Sequence, residues 1–243
     1  MKLRQFGRPI SCAIAIAGAF FSTQAVAQSS DASFGAQSAD AAVAADANAE
    51  DDAVNKFATW IIASQDNHHA PFIVVDKTSA KVFVFDAESR LAGVTPALLG
   101  IARGDESAPG VGTQKLSAIA VHDRTTPAGR FAAHIGMATG NHEVLWVDYA
   151  AAISLHPVVT ASKRERRIQR LNSPSAEDNR ITFGCINVPA SFYKNVVRPL
   201  FAPANGVVYI LPETKPLADV FEQLRPSEQA SVLPALQTLT PRP

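Results

Sequence analysis

F-I-V-V-D-K-T-S-A-K-V-F-V-F-D, residues 72–86, holds two five- to six-residue runs of β-branched and aromatic side chains around a four-residue polar break, Lys77 to Ala80. Runs of this length and composition read as strands, and a break of this size reads as a hairpin turn. Working outward, further short runs at about 91–101, 129–135, 144–148, 151–156 and 206–211 carry the same texture and are separated by Gly, Pro, Asn and Asp. Long helical periods are few. Val54, Phe57, Ala58 and Ile61 recur at helical spacing and predict a short N-terminal helix within 53–70. Phe192, Val196, Val197 and Leu200 predict another after Pro189, and Leu217, Val220, Phe221 and Leu224 one in a C-terminal tail at 214–243. The fold class is therefore mainly β with a few helices. Residues 103–126, punctuated by Gly, Asp, Pro and Ser, read as a long loop, which in a compact domain is more often functional than structural.

The N-terminus reads differently. Lys2, Arg4 and Arg8 precede an apolar run from Ile10 to Phe21, and Ala25-Val26-Ala27 supplies a small-residue cleavage site. A run of about a dozen residues is too short for a membrane span of about 20, so 1–27 is expected to be a signal peptide, with no membrane span left after cleavage. Residues 28–52, rich in Ala, Ser, Asp and Gln, lack the aliphatic bulk needed to offset chain entropy and read as a flexible linker. The expected destination is the periplasm or cell envelope. Of 22 cations and 22 anions, cleavage removes three cations, which leaves about −3 and argues against a nucleic-acid partner. Cleavage also removes Cys12, one of two cysteines, and leaves Cys185 unpaired in an oxidising compartment. Such a thiol is either a small buried hydrophobe or a nucleophile.

Its neighbours favour the nucleophile. In R-I-T-F-G-C-I-N-V-P, residues 180–189, Gly184 allows a tight turn that presents backbone N–H groups beside the thiol. A thiolate there can attack a carbonyl while such amides stabilise the oxyanion, provided a base takes the thiol proton. His156 is the best-placed base among six histidines, because it ends the strand-like run A-A-I-S-L-H at 151–156 just before Pro157. His68, His69, His122 and His142 fall in loops or turns, and His134 falls within a strand, as core or face packing. No Cys/His cluster has zinc spacing and no glycine loop is suited to phosphate, so neither a metal nor a cofactor is expected.

T-T-P-A-G-R-F at 125–131, I-S-L-H at 153–156 and I-T-F-G-C-I-N at 181–187 together resemble the YkuD-type L,D-transpeptidase catalytic domain, over about 71–213. The resemblance implies a β-sandwich-type domain whose cysteine attacks the stem peptide of peptidoglycan, forms a thioester and passes the acyl group to an amine. It places Cys185 as nucleophile and His156 as base, with a backbone carbonyl orienting the imidazole. Gly184 and Thr182 then form the turn and oxyanion side of the site, and Asn187 and Arg180 are candidate substrate contacts. Two departures stand out: Phe183 occupies the position of the family's second histidine, and 29 positions separate His156 from Cys185 where the family commonly uses fewer than twenty. The excess carries Lys163, Arg164, Arg166, Arg167 and Arg170, either a solvated helix face or a flank that attracts carboxylates. The expected function is acyl transfer by a monomer acting on stem peptides. The alternatives are an L,D-carboxypeptidase or amidase-type hydrolase with the same Cys/His pair, and a noncatalytic wall-binding module.

Overall fold

The computed structural model describes residues 52–224. The expected signal peptide, nearly all of the expected linker and the tail beyond Leu224 lie outside the described residues. Ten strands follow the N-terminal helix, which spans 52–64: β1 (Phe72–Asp76), β2 (Lys81–Phe85), β3 (Leu91–Pro96), β4 (Leu99–Gly100), β5 (Gly129–Ala138), β6 (His142–Asp148), β7 (Ile153–Pro157), β8 (Arg180–Thr182), β9 (Ile186–Val188) and β10 (Gly206–Ile210). Eight of them form one sheet in the order β3-β2-β1-β10-β5-β6-β7-β9, and β4 pairs with β8. The ends of the large sheet meet: just past β3, Leu98 and Asn187 of β9 exchange backbone hydrogen bonds of 2.8 and 2.9 Å.

Period-two alternation accounts for this architecture. Ile73 and Val75 of β1, Val82 and Val84 of β2, and Val208 and Ile210 of β10 point inward, against Leu145, Leu155, Ile186 and Val188 from the other half of the sheet. The alternate residues Phe72, Val74, Phe83, Phe85, Val207 and Tyr209 point outward, yet they too are buried, so this part of the sheet is apolar on both faces. The N-terminal helix covers the outer face with Val54, Phe57, Ala58 and Ile61, the i, i+3, i+4, i+7 stripe of the sequence, and Phe221 closes the same cluster. Phe72 and Phe85, opposite one another in the β1–β2 register, stack with ring centroids 4.5 Å apart.

The mainly β expectation holds, as do the hairpin at 72–86 and the helix after Pro189. That helix is continuous over 190–201, with a π-helical middle at Tyr193–Val197. The loop at 103–126 carries three 3₁₀ turns, Val111–Thr113, Leu116–Ala118 and Val121–Asp123. His134 is exposed on β5 and is not core.

Candidate active site

β7 and β9 run parallel and adjacent, with Leu155 opposite Ile186, His156 opposite Asn187 and Pro157 opposite Val188. Because Ile153, Leu155, Ile186 and Val188 are spent on the core, alternation sends Ser154, His156 and Asn187 to the other face, and Cys185 arrives there from the turn before β9. The sheet thus brings together two residues 29 positions apart. The Cys185 Sγ lies 3.6 Å from the Ala152 carbonyl oxygen and 3.7 Å from Ser154 Oγ, and the His156 imidazole is close enough to act on it electrostatically. Burial opposes charge on both groups, but their mutual attraction prevails. The thiol is held below its ordinary range and the imidazole above its own. Their proximity eases transfer of the thiol proton to the imidazole, which yields the thiolate, the reactive form of a cysteine nucleophile.

The ring is fixed at both nitrogens. His156 Nδ1 lies 2.8 Å from the Pro157 carbonyl oxygen, to which it donates, and Nε2 lies 3.0 Å from Asn187 Nδ2. The backbone carbonyl implied by the resemblance is present, one residue after the histidine. Asn187 is buried and holds the base, so it is not the substrate contact expected from the sequence.

The turn carrying Cys185 is equally determined. Gly184 has φ +125°, and a Cβ there would stand 2.5 Å from the Thr125 carbonyl oxygen and 2.7 Å from Ile153 Cδ1, so only glycine fits. Gly184 N–H donates to Thr182 Oγ1 at 3.1 Å, Thr182 Oγ1 donates to the Cys185 carbonyl at 2.7 Å, and Thr126 Oγ1 donates to the Gly184 carbonyl at 2.8 Å. Gly184 and Thr182 therefore build the turn, and the oxyanion role expected of the Gly184 amide is corrected: that N–H is already satisfied.

Arg180 is a third correction. It is buried, donating to Glu213 Oε2 at 2.5 Å, to Glu213 Oε1 at 3.2 Å and to the Lys77 carbonyl at 2.8 Å. Its two Nη groups are engaged inside the protein, so it is no substrate-carboxylate binder. Lys77 continues the network, donating to Asp105 Oδ1 at 2.6 Å and to the Thr126 carbonyl at 2.9 Å. Thr126 is the residue that grips Gly184, so a buried charge cluster stands directly behind the nucleophile turn.

The sequence reading gave no specific role to two residues that the structure brings to the site. Arg167, in the short helix Arg167–Leu171, reaches Asn187 Oδ1 at 2.9 Å. Arg124, at the end of the long loop, lies over the Phe183 ring with its Cζ 4.1 Å from the centroid, a cation–π contact. Arg124 also donates to the Ile119 carbonyl at 2.8 Å within the loop, and a Cβ at Gly112 would stand 2.2 Å from the Ala150 oxygen, so the 103–126 loop packs closely against the β6–β7 turn. Run length and basic character hint at Arg167; nothing in the sequence marks Arg124. Among the described residues no group of three or more His, Cys, Asp or Glu gathers as metal ligands.

No family model matches the sequence, and no curated protein matches it. Among solved structures, the chain is similar to the helical cell-shape-determining protein Pgp2 of Campylobacter jejuni, at 13% identity and TM-score 0.40, covering 60% of this chain and 49% of that one. It is similar to the catalytic domain of an Enterococcus faecium L,D-transpeptidase, at 15% identity and TM-score 0.33, covering 59% of this chain and 98% of that one. It is also similar to an L,D-transpeptidase from Mycobacterium smegmatis, at 12% identity and TM-score 0.32, covering 58% of each chain. The chain spans about half the length of the Pgp2 protein it matches.

Proposed function

We propose that this chain is an exported cysteine acyltransferase of the L,D-transpeptidase type, working as a monomer on peptidoglycan stem peptides in the cell envelope. The observation that carries the proposal is the Cys185–His156 pair, with the thiol pulled below its ordinary range by an imidazole anchored on the Pro157 carbonyl. The thiol proton passes to His156, and the thiolate attacks the carbonyl carbon of a stem-peptide bond. Collapse of the tetrahedral intermediate breaks the C–N bond, and the leaving amine takes the proton from His156, leaving a thioester. An acceptor amine then gives a proton to His156 and attacks the thioester, and Cys185 leaves as the thiolate. The first product carries the original amine, the second the new amide, and the enzyme is regenerated without a cofactor.

Digestion of purified peptidoglycan by the wild type and by Cys185→Ala, with products identified by mass, tests this. Cross-linked dimers formed only by the wild type are expected. Full activity in the Cys185→Ala protein would reject Cys185 as the nucleophile. Shortened stems without dimers would instead make the enzyme a hydrolase that resolves the same thioester with water.

A second reading, a catalytically inert wall-binding module, is favoured by one observation: Phe183, capped by Arg124, stands where the family carries a histidine. Exposure to a carbapenem separates the two. An acylated Cys185, seen by mass, supports the acyltransferase, whereas an unmodified thiol supports the module.

A further inference from the structure

The contact between Arg167 and Asn187 settles a proton position. A guanidinium only donates, so the Asn187 atom facing Arg167 Nη1 at 2.9 Å is the amide oxygen. The Asn187 NH₂ therefore faces His156 Nε2, at 3.0 Å, and that nitrogen must accept. An imidazole accepting at Nε2 carries its proton on Nδ1, which is the nitrogen that donates to the Pro157 carbonyl at 2.8 Å. Four groups agree on one tautomer. Arg167 is itself held, since its Nε donates to Glu165 Oε2 at 2.5 Å, and its side chain is only 14% exposed.

We infer that Arg167 is a positioning residue that, by locking the Asn187 amide, keeps His156 as the neutral Nδ1–H imidazole until it receives the Cys185 proton. The inference rests on the acyltransferase reading of Cys185 and His156. Its chemical consequence is a brake. The lone pair that accepts the thiol proton is the one to which Asn187 donates, so forming the imidazolium breaks that hydrogen bond and sets N–H against N–H. With Arg167 in place the amide cannot turn over, because its NH₂ would then face the guanidinium. The positive charge of Arg167 also opposes the imidazolium directly. Without Arg167 the amide is free to rotate and offer its oxygen to a protonated Nε2. The base is thus kept empty and correctly oriented, at some cost in resting thiolate.

The test follows the rate of Cys185 alkylation by iodoacetamide against pH, in the full chain, for the wild type, Arg167→Gln and Arg167→Lys. A hydrogen bond lost to a charged group and one regained amount to a shift of about one pH unit. Arg167→Gln is expected to move the midpoint down by about that much, giving about tenfold faster alkylation below the wild-type midpoint, and Arg167→Lys is expected to return it toward wild type. A wild-type midpoint below the ordinary thiol range, with Arg167→Gln coincident or shifted upward, overturns the role of Arg167 alone. A wild-type midpoint in the ordinary range overturns the nucleophile reading and this inference together. If Arg167→Gln does not fold, the ring ¹⁵N shifts of His156 in the wild type decide, assigned by comparison with His156→Gln. A protonated Nδ1 beside an unprotonated Nε2 supports the inference, and the opposite tautomer overturns it.

Discussion

At Gly184 a single hydrogen atom where a methyl group would stand decides whether the nucleophile turn exists. Its φ of +125° is strained for any L side chain, and the Thr125 carbonyl oxygen at 2.5 Å is backbone that cannot step aside. Gly184→Ala is therefore expected to lower the thermal midpoint, with a loss of about 1–3 kcal/mol from backbone strain alone, and to abolish carbapenem acylation of Cys185. Calorimetry and intact mass measure the two effects. An alanine variant with wild-type stability and reactivity would show that the turn is looser than its contacts indicate. Thr182 is set for a related reason: one hydroxyl both accepts from Gly184 and donates to Cys185, which no apolar side chain can do.

The N-terminal helix is an element whose worth is readable from one face. Phe57 is 2% exposed and touches Trp60, Tyr209 and Phe221. Phe57→Ala should cost about 3–5 kcal/mol, seen as a lower denaturant midpoint, because the cavity lies between a helix and a sheet that cannot both collapse into it. This helix was legible in the sequence because its apolar residues recur at helical spacing, and the 72–86 hairpin because two β-rich runs flank a short polar break. β8 and β9 were not legible: each is three residues long, too short for alternation to register, although they flank the Gly184–Cys185 turn that the sequence did mark. The roles of Arg180 and Asn187 escaped for a different reason. Their partners, Glu213 and Lys77 for one and His156 and Arg167 for the other, lie 20 to 103 positions away, and only the sheet brings them together. Cys185 and His156 were legible because glycine before a lone thiol and histidine at a strand end are local signals. Arg124 gave no such signal, since its partner Phe183 became a neighbour only through the packing of the long loop.

For the molecule as a whole, the buried charges behind the site tie stability to pH. Burial would raise the Asp105 carboxyl, but hydrogen bonds from Lys77, from Thr214 and from the Glu213 and Thr214 amides hold it far below the ordinary carboxylate range. A carboxylate lowered on folding adds stability that is complete above its unfolded value, about 3.9, and that disappears as pH falls toward the folded value. The unfolding midpoint should therefore drop steeply below about pH 4. Asp105→Asn should remove about 3–5 kcal/mol near neutrality, by leaving Lys77 with a weaker partner, and should flatten that acid limb. Thermal melts across pH for both proteins are the check, and parallel limbs would assign the acid sensitivity elsewhere. The seam at Leu98 and Asn187 has a further consequence. The peptide units that join the two ends of the sheet belong to the residue that seats the imidazole, so a chain that has not yet closed carries an ordinary, slow cysteine. Closure of the sheet and assembly of the reactive pair are therefore one event, because Asn187 takes part in both.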